Sequence, residues 1–261
     1  MTLLRTRLIP CLQVRAGSLV KTVKFGKFGY IGDPANTCRI FNECEVDELA
    51  VVDITATKDG REPDFALLSE LAEECFMPVA YGGGISSIDH AERILRLGME
   101  KLIIGSAAFR TPELVTEIAD AFGSQCVVVA IDVKAGWLGG KTCRSHSGTK
   151  STGLAPVDWA KRVEALGAGE ILLTSIDHEG TWDGPDFDLV RAVASSVSIP
   201  VVAHGGTGTQ QDIITLVNEC GASAVALGNM VVYQKRDMGV LVNFPAEAEQ
   251  RAMGLSRATA S

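Results

Sequence analysis

Short apolar runs alternate with amphipathic segments along almost the whole chain. The apolar runs have the length and composition that are typical of buried strands. Asp33 precedes Pro34 and Thr111 precedes Pro112, and each pair predicts a capping residue followed by proline at the first position of a helix. The predicted strands are Arg7–Val14, Glu48–Ile54, Pro78–Ala80, Lys101–Ile104, Cys126–Asp132, Glu170–Ser175, Pro200–Ala203 and Ser223–Leu227.

Strands that alternate with helices predict parallel βαβ units, which close most simply into a (β/α)8 TIM barrel. An open, doubly wound sheet is the alternative. An internal repeat favours the barrel, because "MPVAYGGGI" and "IPVVAHGGTG" place Pro78 and Pro200 122 residues apart, and Glu48 and Glu170 share this offset. The repeat predicts one domain at 1–245 made of half-barrels at about 5–122 and 123–245, followed by a polar, frayed tail at 246–261.

Composition indicates a globular protein with a full core, since 46% of the 261 residues are hydrophobic and 21% are charged. The net charge of −8 argues against an extended nucleic-acid surface. No apolar run reaches the roughly 18 residues that span a bilayer, and "MTLLRTRLIP" lacks the apolar core of a signal peptide. Seven cysteines without a CxxC pair do not suggest a disulfide framework. We expect a reduced, cytoplasmic protein.

Glycines follow several predicted strands in two matching sets. Glycine lets a backbone approach a ligand closely, and amides at the start of the next helix suit a phosphate group. Ordinary turns are the alternative for any single glycine, but two symmetric sets predict a ligand with a phosphate at each end. Ser106 and Gly228 also lie 122 residues apart. The predicted phosphate-binding residues are Gly83, Gly84, Gly105, Ser106, Gly180, Gly205, Gly206, Gly228 and Asn229.

Several motifs resemble those of the HisF family, the cyclase subunit of imidazole glycerol phosphate synthase. They are "RLIPCLQV", "GDP", "DELAVVDITA", "YGGGI", "FGSQCVVVAIDVK", "GAGEILLTSIDHEGT" and "HGGTGT", and they cover roughly residues 5 to 232. The resemblance implies a duplicated half-barrel with two phosphate sites and no cofactor. It also implies a glutaminase partner on the N-terminal face, from which ammonia passes up the barrel interior.

The same resemblance implies a ring of four charged residues at the ammonia entrance, matched here by Arg7, Glu48, Lys101 and Glu170. Two acids and two bases at the floor of a barrel can neutralise each other. A salt-bridge plug that only stabilises the barrel is the alternative to a working entrance.

Family members use two aspartates as general acid and base, at the ends of strands one and five. Asp132 in "VVAIDVKAG" matches the second, whereas Gln13 in "IPCLQVRAG" stands where the first is expected. An amide does not exchange a proton at neutral pH. Glu179 and Gly105 stand where the family usually has aspartate and asparagine. The other predicted catalytic residues are Lys21, Asp53, Thr174, Asp177 and Glu179.

A basic and aromatic segment, "KTVKFGKFGYIGDP", follows the first strand. It suits an anionic ligand with a stacking ring, such as a nucleotide-sugar, or it forms a solvated lid. Further along the chain, "RIFNECEVDEL", "FMPVAYGGGI" and "GVLVNFP" resemble a paralogous branch of the family that is linked to surface polysaccharides. That branch is thought to supply ammonia for acetamidino-sugar formation, together with a glutaminase and a separate sugar amidotransferase.

Three alternatives stay open: a true histidine-pathway cyclase, a non-catalytic ammonia conduit that activates the glutaminase, and the related single-chain sugar-phosphate isomerase. His146, His178 and His204 lack the spacing of a metal site, although His178 and His204 fall at strand ends where a ligand could lie. Trp137 and Trp182 follow strands five and six and are candidates to cover the site.

Overall fold

The computed structural model describes residues 4–136 and 139–257. Trp137 and the last four residues of the predicted tail lie outside the described residues. The strands are β1 Leu4–Arg5, β2 Arg7–Arg15, β3 Ser18–Thr22, β4 Phe28–Gly32, β5 Leu49–Asp53, β6 Val79–Gly82, β7 Lys101–Ile104, β8 Val127–Ala135, β9 Lys141–Ser145, β10 Lys150–Ser151, β11 Glu170–Ser175, β12 Val201–His204, β13 Ala224–Leu227 and β14 Ser256–Arg257.

Eight of these strands close into a parallel barrel, in which each strand pairs with the next in the order β2, β5, β6, β7, β8, β11, β12 and β13, and β13 returns to β2. This confirms the predicted (β/α)8 barrel and excludes the open sheet. The helices are α1 Pro34–Glu43, α2 Phe65–Glu74, α3 Ile88–Arg96, α4 Ser106–Arg110, α5 Glu113–Phe122, α6 Pro156–Ala165, α7 Phe187–Ala194, α8 Gln210–Asn218, α9 Asn229–Val232 and α10 Glu247–Ala252.

Helix starts agree with the sequence in α1 and differ in α5. The Asp33 side chain accepts a hydrogen bond from the backbone N–H of Asn36 at 2.9 Å, with Pro34 at the first helical position. In α5 the cap position belongs to Pro112, and Thr111 contributes its backbone carbonyl, which accepts from Leu114 N–H at 3.1 Å. Helix α5 therefore begins one residue later than predicted.

Apolar residues pack in two places. A large cluster fills the space between the barrel and its helices, and includes Leu8, Leu12, Phe41, Leu102 and Trp159. A smaller cluster fills the barrel interior with alternate residues of the strands: Ile9, Cys11, Ala50, Ala80, Ile103, Val128, Leu172, Val202, Ala224 and Ala226. Five of these ten are alanine or cysteine and the other five are branched aliphatic residues, so small and branched side chains fill the barrel interior. None of the helices in the described part of the chain is long and apolar enough to cross a membrane.

Two regions in which the sequence predicted no strand or helix form regular secondary structure. The segment after the first strand forms an antiparallel hairpin, β3–β4, that continues β2. In the predicted frayed tail, α10 forms, Met253 and Leu255 are buried, and β14 pairs with β1. The prediction of a frayed tail was therefore wrong for residues 247–257, because apolar side chains in the polar sequence pack against the barrel. The half-barrel boundaries stay a prediction.

Candidate active site

A cavity of about 300 Å³ opens at the carboxyl ends of the barrel strands. This is the end of a (β/α)8 barrel at which ligands bind. Predicted site residues from both halves of the chain line it together, although they lie far apart in sequence. They include Gln13, Asp53, Gly83, Gly84, Gly105, Ser106, Asp132 and Thr174.

Asp132 is the carboxylate on the floor of this cavity. It lies on β8, and what exposure it retains is toward the cavity. Burial raises its pKa to about 7; the neighbouring Thr174 hydroxyl opposes the rise and the charge of Glu179 adds to it. A carboxyl group with this pKa can both give up and accept a proton near neutral pH.

Gln13 is buried, and both the oxygen and the nitrogen of its amide make hydrogen bonds. Its Oε1 accepts from the backbone N–H of Thr22 at 2.8 Å and lies 3.0 Å from the Thr22 hydroxyl, while its Nε2 donates to Glu179 Oε1 at 3.2 Å. The side chain thus joins β2 to the hairpin and to the segment after β11. An amide can make both kinds of contact at once, whereas a carboxylate only accepts.

Glu179 is the centre of this buried network. Its carboxylate forms an ion pair with Lys21, accepts from Phe25 N–H at 3.1 Å and lies 3.0 Å from the Thr22 hydroxyl. Its backbone carbonyl accepts from Lys24 N–H at 2.8 Å. A charged pair this deeply buried is tolerated because further hydrogen bonds satisfy both ends. Thr22 and Phe25 belong to the basic and aromatic segment "KTVKFGKFGYIGDP", but their contacts with Glu179 were not predicted from the sequence.

Asp53 and Asp177 have local roles. Asp53 Oδ1 accepts from the backbone N–H groups of Thr55 and Ala56 at 2.8 and 2.9 Å, and Arg61 lies 3.2 Å from Oδ2. Asp177 accepts from Ala135 N–H at 2.8 Å and is not among the residues that line the cavity around Asp132. Both carboxylates hold loops in place, and Asp53 also borders the cavity.

The glycines after β6 and β12 are enclosed in the same way in both halves. All four have positive φ angles. A Cβ on Gly83 would lie 2.9 Å from the carbonyl oxygen of Asp53, and a Cβ on Gly205 would lie 2.7 Å from that of Ser175. Gly84 and Gly206 are likewise closed in by the backbone of the next loop. Only glycine fits these positions.

A second, small cavity adjoins the glycines after β12. Two of its lining side chains, Thr207 and Asn229, are over nine-tenths buried, and their Oγ1 and Oδ1 atoms have no hydrogen-bond partner among the described residues. Gly180 and Lys21 also border this cavity, and a Cβ on Gly228 would lie 2.8 Å from Lys21 Cε. The cavity therefore offers unused polar groups and a nearby ammonium group.

The backbone conformation after β7 and β13 changes one residue match of the internal repeat. Gly105 (φ −104°, ψ −99°) and Gly228 (φ −102°, ψ −91°) both occupy the position before a short helix. Gly228 is thus equivalent to Gly105 rather than to Ser106, and the offset is 123 residues at this point.

The four charged residues predicted at the entrance form a closed ring at the opposite end of the barrel. Arg7 pairs with both Glu48 and Glu170, and Lys101 Nζ lies 2.8 Å from Glu48 and 2.9 Å from Glu170. The two glutamate side chains are 7% exposed, whereas Arg7 retains 28% and Lys101 19%. Each acid therefore contacts both bases, which balances the charge across the barrel floor.

Comparison with known proteins agrees with this geometry. The family described as "Histidine biosynthesis protein" matches residues 7–237. A Pseudomonas aeruginosa protein named "Putative imidazole glycerol phosphate synthase subunit hisF2" is 46% identical over 243 residues, which are 93% of this chain and 97% of that protein. The chain belongs to the HisF family.

Two further HisF-family proteins match over nearly their whole length. A Leptospira borgpetersenii protein named "Putative imidazole glycerol phosphate synthase subunit HisF" is 45% identical over 252 residues, covering 96% of this chain and 99% of that protein. The "Imidazole glycerol phosphate synthase subunit HisF" of Nostoc sp. is 40% identical over 254 residues, covering 95% and 96%. The matched length includes both half-barrels.

This HisF-family chain keeps one acid of the expected pair and encloses the other position in a network. Phe25 and Phe28 from the hairpin line the main cavity, while Tyr30 is 66% exposed. Trp182 lines the second cavity.

The two histidines predicted at strand ends differ in their contacts. His178 Nδ1 makes a hydrogen bond with the Ser175 hydroxyl at 2.8 Å, whereas His204 borders both cavities. Of the predicted ligand-facing histidines, the structure therefore places His204 at the site.

Proposed function

We propose that this protein is the ammonia-accepting synthase subunit of a glutamine amidotransferase complex and acts on a phosphorylated substrate. The observation that carries the proposal is the arrangement along one barrel axis. The charged ring lies at the N-terminal end, Asp132 lies at the other end, and apolar side chains line the interior between them. Ammonia released by a HisH-like glutaminase on the N-terminal face would enter at the ring.

Two enclosed glycine sets support a substrate with phosphate at both ends. One set borders the cavity of Asp132, and the other borders the small cavity with Thr207 and Asn229. Backbone amides beside such glycines can approach phosphate oxygens closely. Lys21 also borders the second site, where a phosphate would share its charge with Glu179. No metal or cofactor is needed for this binding mode.

The reaction we favour is acetamidino-sugar formation, in which this subunit would supply ammonia together with a glutaminase and a separate sugar amidotransferase. The engaged amide of Gln13 supports this choice. General acid–base assistance is worth about 10² to 10⁴ in rate, and Gln13 removes one of the two groups on which the family's cyclisation depends. Asp132 stays available for proton transfer.

Imidazole glycerol phosphate synthesis in histidine biosynthesis is the second candidate. It is favoured by the names of the full-length relatives and by the presence of Asp132 with its raised pKa. In this case Gln13 would be tolerated because a single carboxyl group with a pKa near 7 performs both proton transfers.

An ammonium-dependent assay separates the two candidates. Purified protein is given the phosphoribulosyl-aminoimidazole carboxamide nucleotide with ammonium salt at alkaline pH, and imidazole glycerol phosphate is measured. We expect no turnover above that of an Asp132→Asn control, because Gln13 cannot exchange a proton. Turnover of ~1 s⁻¹ or more by the folded protein would contradict the sugar assignment and establish the histidine-pathway reaction.

The charged ring predicts a defined loss of stability in Arg7→Met. Only Lys101 would then remain to balance Glu48 and Glu170. Losing one partner of a buried pair costs about 3 to 5 kcal/mol, and the partial exposure of Arg7 reduces the expected loss to about 2 kcal/mol. Chemical denaturation at pH 7 measures it.

Arg96→Met is the matched control for the ring, because Arg96 is 78% exposed and pairs with Glu92 on the surface of α3. It should change stability by less than about 0.5 kcal/mol. In complex with the glutaminase, Arg7→Met should also release more ammonia to solvent per glutamine hydrolysed. A stability loss with unchanged ammonia transfer would identify the ring as a plug.

A further inference from the structure

Three polar side chains stand side by side on neighbouring strands at the floor of the site. Asp132 on β8 is in register with Thr174 on β11, and Thr174 is in register with His204 on β12. Parallel neighbours in register point their side chains to the same side of a sheet, and all three line the main cavity. The three residues therefore form one continuous polar row.

Thr174 stands between the two titratable residues of the row. Its hydroxyl oxygen lies 3.2 Å from Nδ1 of His204, and the strand register places the Asp132 carboxyl group on its other side, where the hydroxyl lowers the pKa of that carboxyl. His204 borders the second cavity as well as the first. Within residues 4–136 and 139–257, the structure shows no hydrogen bond to its other ring nitrogen, Nε2.

We propose that Asp132, Thr174 and His204 form a proton relay that connects the two cavities, with Nε2 of His204 as the distant terminus. The relay rests on the proposed function, in which Asp132 handles protons at the reacting centre. It gives Asp132 a route for proton exchange that does not pass Gln13. His204 is thereby a positioning and proton-transfer residue that the HisF-type acid pair does not include.

Each step of the relay balances. With Asp132 ionised, the Thr174 hydroxyl donates to the carboxylate, and Nδ1–H of His204 donates to the Thr174 oxygen. When Nε2 takes up a proton, Nδ1 passes its proton to Thr174, and Thr174 passes its own to Asp132. The product has a neutral carboxyl group that donates to Thr174, and Thr174 donates to Nδ1. One proton has entered at Nε2 and one has been gained at Asp132.

The surroundings of His204 favour this exchange between two neutral ring forms. The titratable groups that interact with the row are Lys21 and Glu179 of the hairpin network, the Cys11 thiol from β2 and the Cys143 thiol from β9. Burial, assisted by the charge of Lys21 and opposed by that of Glu179, lowers the pKa of His204 to about 4. The ring thus stays uncharged near pH 7, and a proton crosses it by a change of tautomer.

Nitrogen NMR of ¹⁵N-histidine-labelled full-length protein tests the relay without substrate. His204 is assigned by comparison with a His204→Gln variant, and the ring nitrogens are followed from pH 5 to pH 9. We expect the protonated nitrogen to change from Nε2 to Nδ1 as the pH rises, with a midpoint near the Asp132 pKa of about 7. The ring should stay neutral throughout.

Two variants at Thr174 and one at Asp132 supply the controls. Thr174→Ser keeps the hydroxyl and should keep the tautomer change, whereas Thr174→Val removes it and should abolish the change. Asp132→Asn should also abolish it. Unchanged signals of His90, His146 and His178 show that each variant is folded.

Two results would overturn the relay. One is a His204 tautomer that stays fixed while Asp132 titrates, and the other is an imidazolium ring at pH 7. Neither result would depend on turnover, so the relay can fail while ammonium-dependent activity persists. Conversely, a tautomer change without activity on any phosphorylated substrate would count against the proposed function alone.

Discussion

Asp132→Asn is expected to raise the free energy of unfolding at pH 8 by about 3 kcal/mol. Burial raises the folded-state pKa of Asp132 from 3.8 to about 7, so ionisation in the folded protein has a cost that the unfolded chain does not bear. A shift of this size corresponds to roughly 4 kcal/mol, and water in the cavity reduces the expected value. Denaturant titrations at several pH values measure the gain.

The pH dependence gives the sign of this effect. Because the folded-state pKa is raised, the folded protein holds a proton that the unfolded chain releases above pH 4, and wild-type stability falls as the pH rises from about 4 to 7. The gain in Asp132→Asn should therefore vanish near pH 4 and be complete above pH 8. Asp120→Asn, at an exposed position on α5, should change stability by less than about 0.5 kcal/mol.

In the proposed ammonia-dependent reaction on the phosphorylated sugar substrate, the same Asp132→Asn variant should lose turnover by about 10² to 10⁴. Functional residues often lower the stability of the fold in return for activity, and Asp132 is expected to show both effects. A variant that is no more stable than wild type at pH 8 would show that the Asp132 carboxyl is well solvated or paired. That outcome would also remove the basis for a proton-transfer role near neutral pH.

Gln13→Asp is expected to lower stability by about 3 kcal/mol at pH 8, rather than to restore a working acid pair. The introduced carboxylate would face Glu179 in a buried network and could not donate to it, and an uncompensated buried charge costs about 3 to 5 kcal/mol. Lys21 is already paired with Glu179 and offers limited relief. Thermal or chemical unfolding measures the loss.

Gln13→Asn is the matched control, because it shortens the side chain equally and stays neutral. The free energies of unfolding of the two variants should be similar near pH 4. At higher pH the Asp variant should become the less stable of the two, since the folded-state pKa of the new carboxyl is raised above its unfolded value. Glu179→Gln should rescue much of the loss in a double variant, which a double-mutant cycle reveals. Equal stability of the Asp and Asn variants at pH 8 would show that this position accepts a charge.

The sequence pattern located the barrel strands well. The predicted ranges Lys101–Ile104 and Glu170–Ser175 are those of β7 and β11, because inward and outward positions are both apolar along a parallel barrel strand. The internal repeat also identified the paired glycines, whose close backbone contacts recur in both halves. Because the repeat is visible in the sequence, the symmetric part of the site could be predicted.

The asymmetric part of the site could not be predicted in this way. The contacts of Gln13 and Phe25 with Glu179 join segments that lie far apart in the chain, and no periodicity in the sequence records them. The hairpin that brings Thr22 to Gln13 has a sequence that also suits a loop. The predicted frayed tail was wrong for a similar reason. Met253 and Leu255 are buried against the barrel, although the residues around them in the sequence are polar.

The apolar interior of the barrel also determines the charge state of whatever crosses it. An ion that leaves water for such an environment incurs a very large cost, whereas neutral ammonia does not. The Cys11 thiol in this interior has its pKa raised to about 12 by burial and so stays uncharged. Nitrogen that takes this route must leave its fourth proton at the floor and arrive as a free base. The complex would then acidify one face of the barrel and consume acid at the other, and its turnover would depend on how quickly that imbalance is relieved.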